Sequence, residues 1–267
     1  MERQPAVAGQ FYPGSPDQLR SELSRLIPVG AEKRCARGII VPHAGYLYSG
    51  GIAGKAYGMI DIPGAALILG PNHQGVGDPA ALYPSGQWLT PLGPTTINTR
   101  LNSFLKKHIP LVHDDTLAHR FEHSLEVQLP FLQFLRPDIT CSALCLGRGD
   151  YDALREIGEG VAASIRGYGE DVLIVASSDM SHYESDDSTR RKDHLALERV
   201  MAFDPRGLLQ VCRTEQISMC GAVTAAVMLV AAEKLGATRA ELVAYGTSGD
   251  VTGDNRQVVG YAAVLVD

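Results

Sequence analysis

Short, unbroken apolar runs alternate along this chain with longer stretches in which apolar residues recur every three or four positions. The runs at 38–42, 65–70, 139–146, 172–176, 242–246 and 258–266 are bounded by turn residues. That pattern predicts strands buried on both faces. Between them the periodicity predicts helices. The first opens at Ser15, with Pro16 at its first position, Gln18 three residues past the cap, and an apolar stripe of Leu19, Leu23, Leu26 and Ile27. A second is expected from a Ser49 cap to about residue 60, and others over 101–107, 125–135 (bent by Pro130), 151–165, 193–201 and 221–235. The segment 80–98, rich in Pro and Gly around Trp88, reads as short strands or an irregular excursion. This alternation predicts an α/β fold: one three-layer αβα domain over 1–267 with a central mixed, mostly parallel sheet.

The run at 172–176 breaks into Ser177, Ser178, Asp179, Ser181 and His182, a polar cluster that a buried strand does not need in order to end. In open α/β sheets, the loops leaving the carboxyl ends of strands bind ligands. The arrangement recurs, because the runs at 38–42 and 65–70 lead into His43 and His73. On parallel neighbouring strands, these imidazoles would collect at one edge of the sheet. Histidine is both the commonest metal ligand and the acid/base suited to neutral pH. Cys220 precedes the helix expected from residue 221, where unpaired N–H groups and the helix dipole would favour a thiolate. Cys141 and Cys145 fall in a strand pattern and read as core. Asp250, Asp254 and Asn255 follow a strand and read as a polar turn.

Composition narrows the classes without naming one. Apolar residues make up 45% of the 267, which suffices for a sizeable core, and the net charge of −6 argues against nucleic acid or an anionic membrane as partner. No apolar stretch is long enough to span a bilayer, and five cysteines without framework spacing point to the reducing cytoplasm.

The segments Pro5-Ala-Val-Ala-Gly-Gln-Phe-Tyr-Pro13, Pro42-His43-Ala-Gly-Tyr46, Gly70-Pro-Asn-His73, Glu122-His123-Ser-Leu-Glu126, Ser177-Ser-Asp179-Met-Ser-His182 and Cys220-Gly221 follow one another across nearly the whole chain. In that order they resemble the MEMO family, whose prokaryotic members are also called AmmeMemoRadiSam system protein B. That family is similar to class III extradiol ring-cleaving dioxygenases, non-haem iron(II) enzymes of αβα fold. The resemblance implies a metal held by His43, His73 and Cys220, with His182 as acid/base, Asp179 orienting its neighbours and His123 lining the cleft. It implies a small-molecule or peptide ligand in that cleft, and radical-SAM and AMMECR-like proteins as partners. Cys220 stands where the dioxygenases place a glutamate. Thiolate in place of carboxylate softens the site, so copper and zinc compete with iron(II) as the resident metal. Two functions follow as expectations: a non-haem iron oxidoreductase acting on a small substrate, or a peptide- or protein-binding module using the same cleft.

One further pattern competes. His119-Arg-Phe-Glu122-His123 matches the H-x-x-E-H arrangement of inverted zinc proteases, which on a continuous helix would set both histidines on one face as a zinc hydrolase site. Without a third ligand downstream, His119 is expected to be solvated instead. The glycines of 70–77 lack the Lys-Ser/Thr of a phosphate loop and are expected to turn the backbone past His73.

Overall fold

Four parallel strands form the centre of the computed structural model, which describes residues 1–30 and 32–267. They are β1 (Gly38–Val41), β2 (Ala65–Pro71), β3 (Thr140–Leu146) and β4 (Val172–Ser177), in the spatial order β3-β2-β4-β1. Two later strands, β5 (Ala240–Thr247) and β6 (Val258–Val266), extend the sheet antiparallel, with β6 against β1 and β5 against β6. Beyond β3 the sheet continues through the 80–98 excursion, whose residues Ala80–Leu82, Gln87–Thr90 and Gly93–Ile97 form short strands. The result is one mixed sheet with a parallel centre.

Both faces of that centre are covered, which is why its strands read as unbroken apolar runs. Ile40, Leu67, Leu69, Ile174 and Ala176 point into one core, while Ile39, Val41, Ile68, Leu173 and Val175 point into the other. Helices α1 (Pro16–Leu26), α2 (Tyr46–Gly58) and α4 (Leu129–Leu135) lie on the second face. The first carries α3 (Thr99–His108), α5 (Tyr151–Tyr168), α6 (Asp186–Met201), α7 (Pro205–Thr214) and α8 (Ala222–Lys234). Among the described residues, no helix is long and apolar enough to cross a membrane.

Several local readings change. Ser49 does not cap α2. That helix opens at Gly45, with the Tyr46 N–H held by the carbonyl of Phe11, and the Ser49 hydroxyl donates back to the Ala44 carbonyl. Pro130 starts α4 after a 3₁₀ turn over Glu126–Gln128 rather than bending a longer helix. Helix α6 begins seven residues before 193, where the Ser185 hydroxyl accepts from the Ser188 N–H. Helix α7 was not anticipated, although Asp204 capping the Gly207 N–H and Pro205 in first position are ordinary start signals.

Candidate metal centre

Register decides where the chemistry gathers. Leu69 pairs with Ala176 and Val41 with Ser177, so β2, β4 and β1 end nearly level. His43, His73 and Asp179 each stand two residues past the end of their strand. Because β4 lies between the other two, Asp179 falls between the histidines in strand order.

Two glycines let other segments close on this edge. A Cβ at Gly70 would collide with the side chains of Leu125 and Ser124, so glycine admits the turn that carries His123. One at Gly221 would collide with the Ser177 carbonyl and Ser178, so glycine admits the turn that carries Cys220. The rings of His43, His73 and His123 then pack with centroids 4.9–5.4 Å apart. Their ligand-capable nitrogens lie within 4.8 Å of one another. The Cys220 Sγ sits 3.3 Å from Nε2 of His43.

The hydrogen bonds behind the rings fix which nitrogen faces the cluster. Ser177 Oγ donates to the Ser124 carbonyl (2.7 Å) and accepts from Nε2 of Gln128 (2.8 Å). Its remaining capacity is as acceptor for Nδ1–H of His43 at 2.9 Å, which leaves the His43 Nε2 lone pair free. His73 donates Nδ1–H to Oε1 of Glu122 at 2.8 Å. His182 donates Nδ1–H to the Ser218 carbonyl at 2.9 Å. Carboxylate or carbonyl backing of this kind is what orients metal-binding imidazoles.

A family model described as Memo-like protein matches residues 3–265. The chain belongs to the Memo-like family. A MEMO1 family protein of Methanopyrus kandleri is 38% identical over 279 residues, covering 99% of each chain. One from Methanosarcina barkeri is 40% identical, covering 99% of this chain and 100% of its own. Among solved structures, an uncharacterized protein of Escherichia coli K12 superposes with a TM-score of 0.54 at 14% identity, over 84% of this chain and 98% of its own. That likeness concerns the fold.

In this Memo-like chain, burial sets the electrostatics of the edge. Burial first, then the neighbouring His123 and His73, hold His43 well below the usual imidazole range. Burial likewise lowers His123. Burial acts downward on His73 as well, but the Glu122 hydrogen bond and charge outweigh it and raise His73. Glu122 is itself drawn down to about 2: burial opposes this, and His73 together with the Ser124 N–H overcomes it. Asp179 is raised by burial, although Oδ1 accepts the backbone N–H groups of His43 (2.8 Å) and Ala44 (3.3 Å).

Cys220 departs from expectation. It precedes α8 as foreseen, but burial and then the Asp179 charge push its thiol up, and the Asp179 N–H at 3.2 Å only partly offsets them. The helix terminus alone therefore does not make a thiolate here.

His119 departs further. It is fully buried rather than solvated, donates Nε2–H to the Ala81 carbonyl at 2.9 Å, and meets Tyr83 and Trp88 edge-on at 5.5 Å. Residues 119–123 are not helical, and His119 is absent from the histidine cluster. The zinc-protease spacing thus has no shared helix face behind it.

His182 opens the short strand His182–Glu184 and is not one of the three packed rings. The third ring is His123. Asp250 accepts the Thr247 N–H and pairs with Arg190, and Asp254 pairs with Arg256, which makes the polar turn that was expected.

Sequence reasoning missed the residues that brace the site. Gln128 ties the Pro42 carbonyl to Ser177 at 2.9 and 2.8 Å. Glu126, with no exposed surface, accepts from Arg3 (2.6 Å), the Ala6 N–H (2.7 Å), the Val7 N–H (3.1 Å) and the Tyr12 hydroxyl (2.6 Å). Arg3 also donates to the carbonyls of His119 and Glu122. The signal was there: two polar residues, Glu126 and Gln128, sit inside an otherwise apolar run.

Proposed function

We propose that this is a metal-binding protein whose single ion is held by His43, His73 and Cys220 and whose cleft receives a small ligand. One observation carries the reading. Two imidazoles are braced at Nδ1 with Nε2 turned inward, and the Cys220 sulfur lies 3.3 Å from one of those nitrogens. Donors at roughly 2.0 and 2.3 Å from a shared tetrahedral ion stand about 3.5 Å apart, which the Cys220–His43 pair matches. The ligand atoms that lie within 4.8 Å of one another are those of His43, His73 and His123, so Cys220 enters the set on that one spacing and on the family resemblance. Two imidazoles with one thiolate favour iron(II), copper or zinc over hard cations, and iron(II) is the first choice for an oxidoreductase role. Such an ion supplies Lewis acidity and, for iron or copper, an electron.

The chain's own groups do the rest. Asp179 fixes the backbone at His43, and its N–H steadies the Cys220 sulfur. Glu122 sets the tautomer of His73. His182, braced through Nδ1, keeps Nε2 available to take a proton from a ligand. His123, with 21% of its side chain exposed, lines the open side.

Metal analysis of protein purified without oxygen tests this. About one ion per chain is expected, lost in His43→Ala and in Cys220→Ser but retained in His123→Ala. Less than about a tenth of an equivalent in the unaltered protein would overturn the reading. A second reading draws on the exposed Leu47, Tyr48 and Tyr183, which follow His43 and His182 and suit a peptide lying across the cleft. Binding of a peptide that survives removal of all metal would favour it.

A further inference from the structure

Beside the histidine edge lies a cavity of about 380 Å³ that no part of the metal site uses. Tyr48, Ser248, Thr252, Asp254, Gln257 and Tyr261 line it. Its size falls at the lower end of the roughly 300–1,000 Å³ usual for small-ligand sites. Two of its walls belong to segments that build the metal edge. Tyr48 is on α2, five residues after His43. Tyr261 follows Gly260 on β6, and Gly260 exchanges backbone hydrogen bonds with Met180 (2.8 Å) and Ser181 (2.9 Å), between Asp179 and His182.

Tyr261 is the feature that asks for a ligand. Only 2% of the residue is exposed. Farther along β6, Ala262, Val264 and Val266 pack into one core and Ala263 and Leu265 into the other, whereas Tyr261 joins neither. Its hydroxyl bonds to none of the described residues. The hydroxyl is not among the buried polar atoms left without a partner, so it opens on the cavity, where an acceptor can meet it.

The charges around the cavity decide the class of partner. Asp254 is held by Arg256 through two bonds, at 3.0 and 2.7 Å, and among the lining residues there is no cation. The nearby Asp179 already accepts from two backbone N–H groups. An anionic ligand would therefore meet carboxylates without an unpaired guanidinium, and an ammonium would find no uncommitted carboxylate. Burial, followed by the Asp179 charge, raises the Tyr261 phenol, so it stays protonated and donates.

We propose that this cavity is a second compartment of the cleft, in which Tyr261 donates a hydrogen bond to an uncharged, carbonyl- or hydroxyl-bearing part of the ligand. It does not require an ion at the histidines. The partner is neutral, and its apolar body lies against the phenol rings.

Benzamide, benzoate and benzylamine share one ring and carry a neutral amide, an anionic carboxylate and a cationic ammonium head group, so they test the compartment directly. Each is titrated into the full chain, metal-free and metal-loaded, while backbone amide shifts across 248–262 are followed. Benzamide is expected to give saturable shifts with a Kd on the order of 10 mM or tighter, with and without metal. Benzoate and benzylamine are expected to bind about tenfold more weakly. Tyr261→Phe keeps the ring and should weaken benzamide about three- to tenfold while leaving unfolding and metal content unchanged. Gln257→Ala, at an exposed position, should preserve the fold and serve as a second check on the same wall. Absence of saturable shifts with benzamide, equal binding of a charged analogue, or undiminished binding by Tyr261→Phe overturns the proposal. Failure of the metal reading would show instead as missing metal in unaltered protein, whatever benzamide does.

Discussion

His119 and His123 stand four residues apart in one non-helical stretch, and burial lowers both. Their surroundings give them different work. His119 is sealed among Tyr83, Trp88 and the Ala81 carbonyl, with its Nδ1 unpartnered among the described residues. His123 packs on His43 and His73, and part of its ring is open. What separates them is the Arg3–Glu126 clamp. Arg3 grips the carbonyls at 119 and 122, and Glu126 grips the N-terminal segment. Between those grips the chain turns one imidazole inward to the core and the other outward to the cluster. A motif's spacing says little until the backbone between its members is known.

The sharpest way to break this contrast is by pH. In the fold, His119 takes up a proton only near about 4, with burial as the main cause, whereas unfolded histidine does so near 6.5. Between those values the unfolded chain holds more protons, so stability is full above the unfolded value and falls as pH drops toward 4. His119 alone accounts for up to about 3 kcal/mol of that loss. In His119→Leu, denaturant unfolding of metal-free protein at pH 7 and 4.5 should show that share gone and metal uptake at pH 7 unchanged. An undiminished pH slope would place His119 outside the core role.

A smaller effect is expected at Glu122, which faces the cluster side. Glu122→Gln removes the charge behind His73 and should weaken metal binding about 10- to 100-fold. Unchanged affinity by competition with a chelator would show that His73 does not depend on its brace. The smallest change is on the clamp. Tyr12→Phe deletes one hydrogen bond to Glu126 and should cost about 1 kcal/mol of unfolding free energy without altering metal stoichiometry. A loss of metal there would mean that the clamp, which holds the Glu122 carbonyl through Arg3, also governs the brace behind His73.

These regions also divide what could be read from the sequence. Strands β1, β2, β3, β4 and β6 were legible because burial on both faces writes itself as consecutive apolar residues, and His43 and His73 were legible because they end two of those runs. The placement of His119 was not, since it depends on a short excursion folding Tyr83 and Trp88 over it. The Arg3–Glu126 pair joins residues 123 apart, and no local pattern encodes such a distance. For Cys220 the place at the helix start was legible and the state of its thiol was not: a helix terminus is a local feature, whereas the burial and the Asp179 charge that raise the thiol come from the assembled sheet.

The insertion of β4 between β2 and β1 has a consequence for the newborn chain. Synthesis delivers residue 43, then 73, on strands that are not neighbours, and the strand that joins them ends only at Ser177. Cys220 arrives later still. A polypeptide emerging from the ribosome thus carries these two imidazoles through the 104 residues from 73 to 177 without the platform that pairs them. Capture of the ion proposed above would wait for late, long-range strand pairing, the slow kind of step in folding. On the proposed metal reading, loading would therefore report that the sheet has closed.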